Sequence, residues 1–194
     1  VGPILAGLTG RTNRIDLPFA VGLMPLLFQN GIWVEDAFSG LAVTLPARNS
    51  PLLDISNMDW TFFVGLDKVS TQAVKDSGGQ LDDHKANLYG VTGFVEALRG
   101  YWEIGYAMTD ARPPLDDQDV HNLTAAFTRR YGGWLSNSLR VLWNFGQDRD
   151  GAAAQNADGV LFLAENSLVS RKPLTLVPYF NLFLGLDRPQ SLAR

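Results

Sequence analysis

Hydrophobic and polar residues alternate along much of the chain, and the clearest alternation runs from Asn87 to Asp110. One face of this segment carries Tyr89, Val91, Val95, Trp102, Ile104, Tyr106 and Met108, and the other carries Thr92, Phe94, Glu96, Glu103, Ala107 and Thr109. A period of two over runs that are joined by a short Gly-containing turn indicates an antiparallel β-hairpin. A two-residue turn at Arg99-Gly100, pairing Leu98 with Tyr101, would place Glu96 opposite Glu103.

The same alternation predicts strands elsewhere. Together with the two strands of the first hairpin, about nine are expected, the others being Ile4–Arg14, Phe38–Leu45, Trp60–Val69, His121–Tyr131, Trp134–Gly146, Gly159–Ser170 and Leu174–Asp187. Leu17–Ala37 holds two prolines and two glycines. The prolines argue against an uninterrupted helix or a central strand, so we expect a long connection. If this connection folds inward, it would constrict a pore. Pro46–Asp59 is rich in turn residues.

The predicted connections alternate between long and short. Long polar loops fall at Ser70–Ala86, Ala111–Val120 and Gln147–Asp158, and tight turns fall at Arg99-Gly100, Tyr131–Gly133 and Arg171–Pro173. All long loops therefore lie at one end of an up-and-down meander, which is typical of outer-membrane barrels. A soluble sandwich would mix connection lengths. The sequence predicts an all-β, antiparallel up-and-down meander that forms part of a transmembrane β-barrel.

Composition excludes several classes of protein. The net charge of −4 offers no basic excess for binding nucleic acid. No cysteine is present, so disulfides and Cys-based metal sites are excluded. A mean hydropathy of −0.01 is compatible with a membrane barrel, because lipid-facing and lumen-facing residues cancel. The chain begins at Val1 without a methionine, and we expect residues 1–194 to be one barrel domain, a fragment truncated at both ends.

Isolated charges on the polar face are the candidate functional residues. The candidate pore-lining residues are Arg11, Glu96, Glu103, Arg130, Arg140 and Glu165. Glu96 and Glu103 could form a general acid/base pair, but we favour two lumen charges that pair with basic residues on neighbouring strands. We hypothesise that these carboxylates and the arginines opposite them create a transverse field that orders permeating solutes.

The sequence offers little support for a metal site or for a catalytic site. Asp82-Asp83-His84 could bind a metal, but three adjacent residues in a flexible loop make a poor cage. No Ser-His-Asp arrangement or phosphate-loop spacing is evident. We therefore expect no catalytic residues, no metal and no cofactor, and a protein that is not an enzyme.

Several stretches resemble Gram-negative outer-membrane porin-like barrels of the alginate-export or phosphate-selective type. They are LPFAVGLMPLLFQNGIWVEDAFSGLAVTLPARN, the Glu-bearing hairpin and the strand ending NLFLGLDRPQSLAR. The resemblance implies passive or facilitated diffusion of small polar solutes through a water-filled pore. It also implies an outer-membrane location with lipid and lipopolysaccharide as partners. Because barrels of this class include homo-oligomers, self-association is a further expectation.

A soluble all-β binding module, either a lipocalin-like barrel or a sandwich, is the alternative. The two interpretations differ in the direction of the alternating apolar face. A membrane barrel exposes Phe62, Val91, Ile104, Val141 and Leu182 on its outside and keeps Glu96, Glu103 and Arg140 inside. In a soluble module those apolar residues would meet in a dry core.

Overall fold

A computed structural model describes residues 17–50, 55–75, 79, 82–147, 155–170, 172 and 176–194. These residues form nine strands: β1 Phe19–Phe28, β2 Val34–Ser50, β3 Ile55–Asp67, β4 Ala86–Ala97, β5 Gly100–Ala111, β6 Val120–Tyr131, β7 Leu135–Phe145, β8 Asp158–Leu168 and β9 Tyr179–Arg188. Each strand pairs antiparallel with the next one in sequence, so the sheet is a single up-and-down meander. The sheet is not closed, because β1 and β9 are its edges. The predicted fold class is confirmed.

No helix in the described part of the chain is long and apolar enough to cross a membrane.

The prediction of a long connection at Leu17–Ala37 was wrong. Phe19–Phe28 is a strand that pairs with β2 along its whole length, from Phe19–Val43 to Phe28–Val34. Pro25 is accommodated because β1 is an edge strand, the position in a sheet where a missing N–H is tolerated. The predicted strand at Ile4–Arg14 lies outside the described residues.

The turn-rich interpretation of Pro46–Asp59 was also wrong at both ends of this range, because β2 runs on to Ser50 and β3 begins at Ile55; residues 51–54 lie outside the described residues. The β2–β3 pairing shifts register between Leu45 and Arg48, and this irregularity accommodates Pro46.

The register of the first hairpin differs from the predicted one. Ala97 pairs with Gly100, so Glu96 lies opposite Tyr101, and Glu103 lies opposite Phe94. The turn residues are Leu98 and Arg99, which both have positive φ, as in the type I′ turns that match the twist of a hairpin. Gly100 follows the turn, and a Cβ there would come within 2.6 Å of the Phe127 ring. The register is displaced by two residues, so Glu96 and Glu103 still share one face.

The third hairpin has a longer connection than predicted. β8 ends at Leu168 and β9 begins at Tyr179, so the predicted extension of these strands to Ser170 and over residues 176–178 was wrong. Of the predicted turn at Arg171–Pro173 and the predicted strand start at Leu174, all but Lys172 lies outside the described residues. Leu176, Val177 and Pro178 are not in a strand. Pro178 lies immediately before β9 and accepts a hydrogen bond from the backbone N–H of Leu168.

The two faces of the sheet differ in character. We call inner the face of Leu88, Asn122, Arg140 and Leu163, and outer the opposite face. Large apolar side chains on the outer face are exposed, as shown by Phe62 at 50%, Leu139 at 52% and Leu182 at 57%. The described outer face therefore has no apolar layer covering these side chains.

The inner face is covered near its centre by two segments, so it is not exposed along its whole length. The turn Gln29–Trp33 folds over it, and so does the stretch after β9, in which the N–H of Leu192 donates to the carbonyl of Trp33 (2.7 Å). A dry cluster forms where they meet, and its largest members are Trp33, Phe38, Phe63, Leu88, Leu142 and Leu192. We call this cluster the packed layer.

Candidate functional site: a polar chamber on the inner face

Residues 29–33 form the turn that covers the inner face, and we call them the inward turn. Gln29 anchors the inward turn to three strands at once. Its side-chain Nε2 donates to the carbonyl of Glu103 on β5 (3.2 Å), and its Oε1 accepts from the Thr124 hydroxyl on β6 (2.7 Å). Its carbonyl accepts from a guanidinium nitrogen of Arg140 on β7 (3.0 Å). Because Gln29 is almost fully buried, these bonds satisfy polar groups that would otherwise cost free energy.

The backbone of this turn is unusual. Gln29, Asn30 and Gly31 have φ values of 54°, 55° and 78°, so three consecutive residues adopt a left-handed conformation. Such positions cost roughly 1–3 kcal/mol for residues other than glycine and persist when surrounding contacts fix them. The bonds from β5, β6 and β7 supply that constraint, so the turn is held over the inner face.

A cavity of about 330 Å³ lies beside this turn, between the packed layer and the short-turn end of the sheet. Glu103, Arg140 and Glu165 contribute its charges. Its hydroxyl groups come from Thr128, Ser136, Ser138, Ser167 and Tyr179, and amides come from Asn30 and Asn181. We call this cavity the polar chamber.

Arg140 is the most buried charged residue of the polar chamber, at 5% exposure. One terminal nitrogen lies 3.3 Å from a carboxylate oxygen of Glu165 on the neighbouring strand, and the other donates to Gln29. Its Nε has no hydrogen-bond partner among the described residues. Glu103 lines the same cavity as Arg140 and Glu165. The three side chains therefore place two carboxylates and one guanidinium around one space.

The structure brings together three of the six predicted pore-lining residues, namely Glu103, Arg140 and Glu165. Glu96 and Arg130 lie on the same face but do not line the polar chamber. Arg11 lies outside the described residues. Arg140 belongs to the same cluster as the carboxylates, so it does not form the opposing wall that a transverse field requires. Arg140 pairs with Glu165 on the neighbouring strand, whereas the prediction of such pairing was made for Glu96 and Glu103 and did not include Glu165.

Sequence reasoning missed Gln29 and Trp33. The dipeptide Asn30-Gly31 between two apolar runs is a strong hairpin signal and could have identified the turn. Nothing in the local pattern marks Gln29 as the residue that joins β5, β6 and β7, because those bonds connect positions 74 to 111 residues apart.

The long-loop end carries a second polar arrangement around His84. Its Nδ1 lies 2.6 Å from a carboxylate oxygen of Asp67, and its Nε2 lies 3.4 Å from Asp83. The hydrogen bond with Asp67 and the nearby charges of Asp83 and Asp67 raise the pKa of His84 above its ordinary value of 6.5. The described residues contain no group of three or more His, Cys, Asp or Glu side chains that could hold a metal.

Comparison with protein-family models, curated proteins and solved structures finds no match to this chain.

Proposed function

We propose that this chain forms part of the wall of an outer-membrane channel through which small polar solutes diffuse. The observation that carries the proposal is the orientation of the sheet. Apolar side chains are exposed on the outer face, while Glu103, Arg140 and Glu165 lie on the inner face. A membrane barrel needs this arrangement, because lipid contacts its outside and water its inside.

The aromatic residues of the outer face support the proposal. Tyr106, His121, Phe145 and Trp143 stack near the long-loop end, with neighbouring ring centroids 4.5–6.1 Å apart. Near the short-turn end, Trp102 and Phe127 pack at 4.6 Å, and Tyr131 and Trp134 are exposed. Trp and Tyr are enriched at the two membrane–water interfaces. Tyr101 does not belong to this group, because its register places it on the inner face.

The spacing of these clusters fits a bilayer. His121 and Tyr131 lie ten residues apart on β6, or roughly 34 Å along a strand at about 3.4 Å per residue. A tilt of about 40°, ordinary for membrane barrels, reduces this to roughly 26 Å along the membrane normal. The apolar band of outer-membrane barrels is about 25 Å tall.

The open sheet adds a requirement to the proposal. The edges of β1 and β9 do not pair with each other. Unpaired backbone groups are not tolerated in lipid, so further strands must complete the barrel. The packed layer also narrows the passage along the inner face, so the proposed channel is constricted at Trp33.

A soluble all-β binding module is the second candidate, and the packed layer is the observation that favours it. Trp33, Leu142 and Leu192 are as buried as the core of a soluble domain. Such a module would nevertheless expose the apolar outer face to water, at a cost of about 25 cal/mol for each Å² of apolar surface.

Membrane insertion and conductance separate the two candidates. The full chain, produced in a Gram-negative host, is expected to co-sediment with outer membranes and to give discrete ion-conductance steps in planar bilayers. Recovery in the soluble fraction, with no conductance after reconstitution, would favour the soluble module. A mock preparation from cells without the chain controls for contaminating porins.

A further inference from the structure

We propose that the polar chamber binds a neutral polyhydroxylated solute, such as a monosaccharide or a polyol, and discriminates against anions. This inference rests on the proposed function and names the class of solute that it would favour. The sequence resemblance implies only small polar solutes and does not identify one.

The charge of the polar chamber disfavours an anion. Two carboxylates, Glu103 and Glu165, face a single guanidinium, Arg140. Both terminal nitrogens of Arg140 already have partners, the carboxylate of Glu165 and the carbonyl of Gln29. A phosphate or a sugar acid would therefore meet excess negative charge without a free bidentate guanidinium to bind it.

The hydrogen-bonding groups of the polar chamber favour a solute that both donates and accepts hydrogen bonds. Carboxylates such as Glu103 can only accept, whereas the side-chain amide of Asn181 both donates and accepts. A cation supplies donors for the carboxylates but no acceptor for that amide N–H. A hydroxyl group supplies both, so adjacent hydroxyls of one solute can satisfy the carboxylates and the amide together.

The other residues that line the polar chamber also donate and accept hydrogen bonds. Ser136, Ser138 and Asn181 each offer a donor and an acceptor, as the hydroxyls of a sugar require. The volume of about 330 Å³ lies at the lower end of the roughly 300–1,000 Å³ of small-molecule pockets. A single sugar ring or a linear polyol is therefore a suitable occupant.

The test reconstitutes the full chain and makes two separate measurements, of ion conductance in planar bilayers and of solute entry into liposomes. Liposome swelling compares glucose and sorbitol with gluconate, which has a similar size but carries a negative charge. We expect the neutral solutes to enter faster. Glu103→Gln weakens a charged acceptor, and the loss of one charge-assisted hydrogen bond should lower glucose occupancy about tenfold, measured as glucose block of single-channel current.

The control is Asp116→Asn, which removes the same charge in an exposed turn outside the polar chamber and should leave glucose block unchanged. If the reconstituted chain conducts ions but gluconate or inorganic phosphate enters the liposomes faster than glucose, the inference is overturned and the proposed function stands. Equal glucose block in Glu103→Gln and the parent chain would likewise overturn it. The absence of any conductance would overturn the proposed function and this inference together.

Discussion

The indole Nε1 of Trp33 donates a hydrogen bond of 2.7 Å to Oδ1 of Asn122, which lies 89 positions further along the chain. Both side chains are fully buried, so neither can exchange this partner for water. The bond joins the inward turn to β6 and fixes the orientation of the largest side chain in the packed layer. It therefore links the position of the turn to the stability of the sheet.

Trp33→Phe should destabilise the protein by about 1–3 kcal/mol, because the amide oxygen of Asn122 loses its donor in a dry environment. Urea unfolding in detergent micelles, followed by far-ultraviolet circular dichroism, measures the free energy without relying on tryptophan fluorescence. Trp143→Phe is the matched control, since Trp143 is exposed on the outer face. An equal loss in both variants would contradict a special role for the buried bond.

Gly105 has no side chain and so leaves space for the Trp33 ring in the packed layer. A Cβ at this position would lie 2.6 Å from the Trp33 ring, so Gly105→Ala should displace the indole at a cost of about 1–3 kcal/mol. At Gly185, another inner-face glycine, the nearest atom to an added Cβ is a Pro189 ring carbon at 3.5 Å. Gly185→Ala should be tolerated in the same unfolding measurement, and a similar loss at both sites would refute this account of Gly105.

The sequence predicted the fold class because the strands repeat a period of two over ten or more residues. Tyr106 and Thr109, for example, fall on opposite faces in the sequence pattern and in the structure. Register was less accessible, since Gly100 looks like a turn residue but is required by the approach of Phe127. A local pattern reports the face of a residue, whereas its partner depends on turn geometry.

The candidate site was predictable in part. Glu103, Arg140 and Glu165 stand out as charges within amphipathic strands, and the meander topology brings their strands near one another. The position of the inward turn over β5, β6 and β7 was not predictable, because Gln29 is held by bonds to residues 74 or more positions away. Pro25 indicated a break in regular structure, but the strand that contains it tolerates it at the edge of the described sheet.

Gln29→Ala should loosen the inward turn and increase the conductance of the reconstituted channel. The substitution removes the side-chain bonds to Glu103 and Thr124 but keeps the backbone carbonyl that Arg140 binds. Asp116→Asn is the control, because Asp116 is exposed in a turn that does not line the polar chamber. Single-channel recordings compare the two variants, and unchanged conductance in Gln29→Ala would show that this turn does not constrict the passage.

The His84–Asp67 pair should make the anchoring of the β3–β4 loop depend on pH. The pKa of His84 is raised in the folded protein, so its stabilising contribution is fully present below about pH 6.5 and is lost as the pH rises through the folded value. Titration of labelled histidine by NMR measures this pKa. Asp67→Asn should lower it more than Asp83→Asn, because Asp67 also forms the hydrogen bond; the reverse order would contradict this assignment.

The strongest test of membrane orientation compares two adjacent residues of β9. Leu182 lies on the outer face and Asn181 on the inner face, where it lines the polar chamber. A lysine that faces lipid costs about 2–4 kcal/mol at the middle of the bilayer and less toward its interfaces, whereas a lysine that faces water does not. Leu182→Lys should therefore reduce folding into lipid vesicles, and Asn181→Lys should fold much as the parent chain does.

Folding is followed by the mobility of unheated samples on gels and by protection from protease after mixing with vesicles. Both variants add one positive charge at neighbouring positions, so effects of net charge on vesicle binding are matched. If Asn181→Lys were the defective variant, the faces would be assigned the wrong way round. If neither variant were defective, the outer face of β9 would not contact lipid, and the soluble all-β module would become the better interpretation.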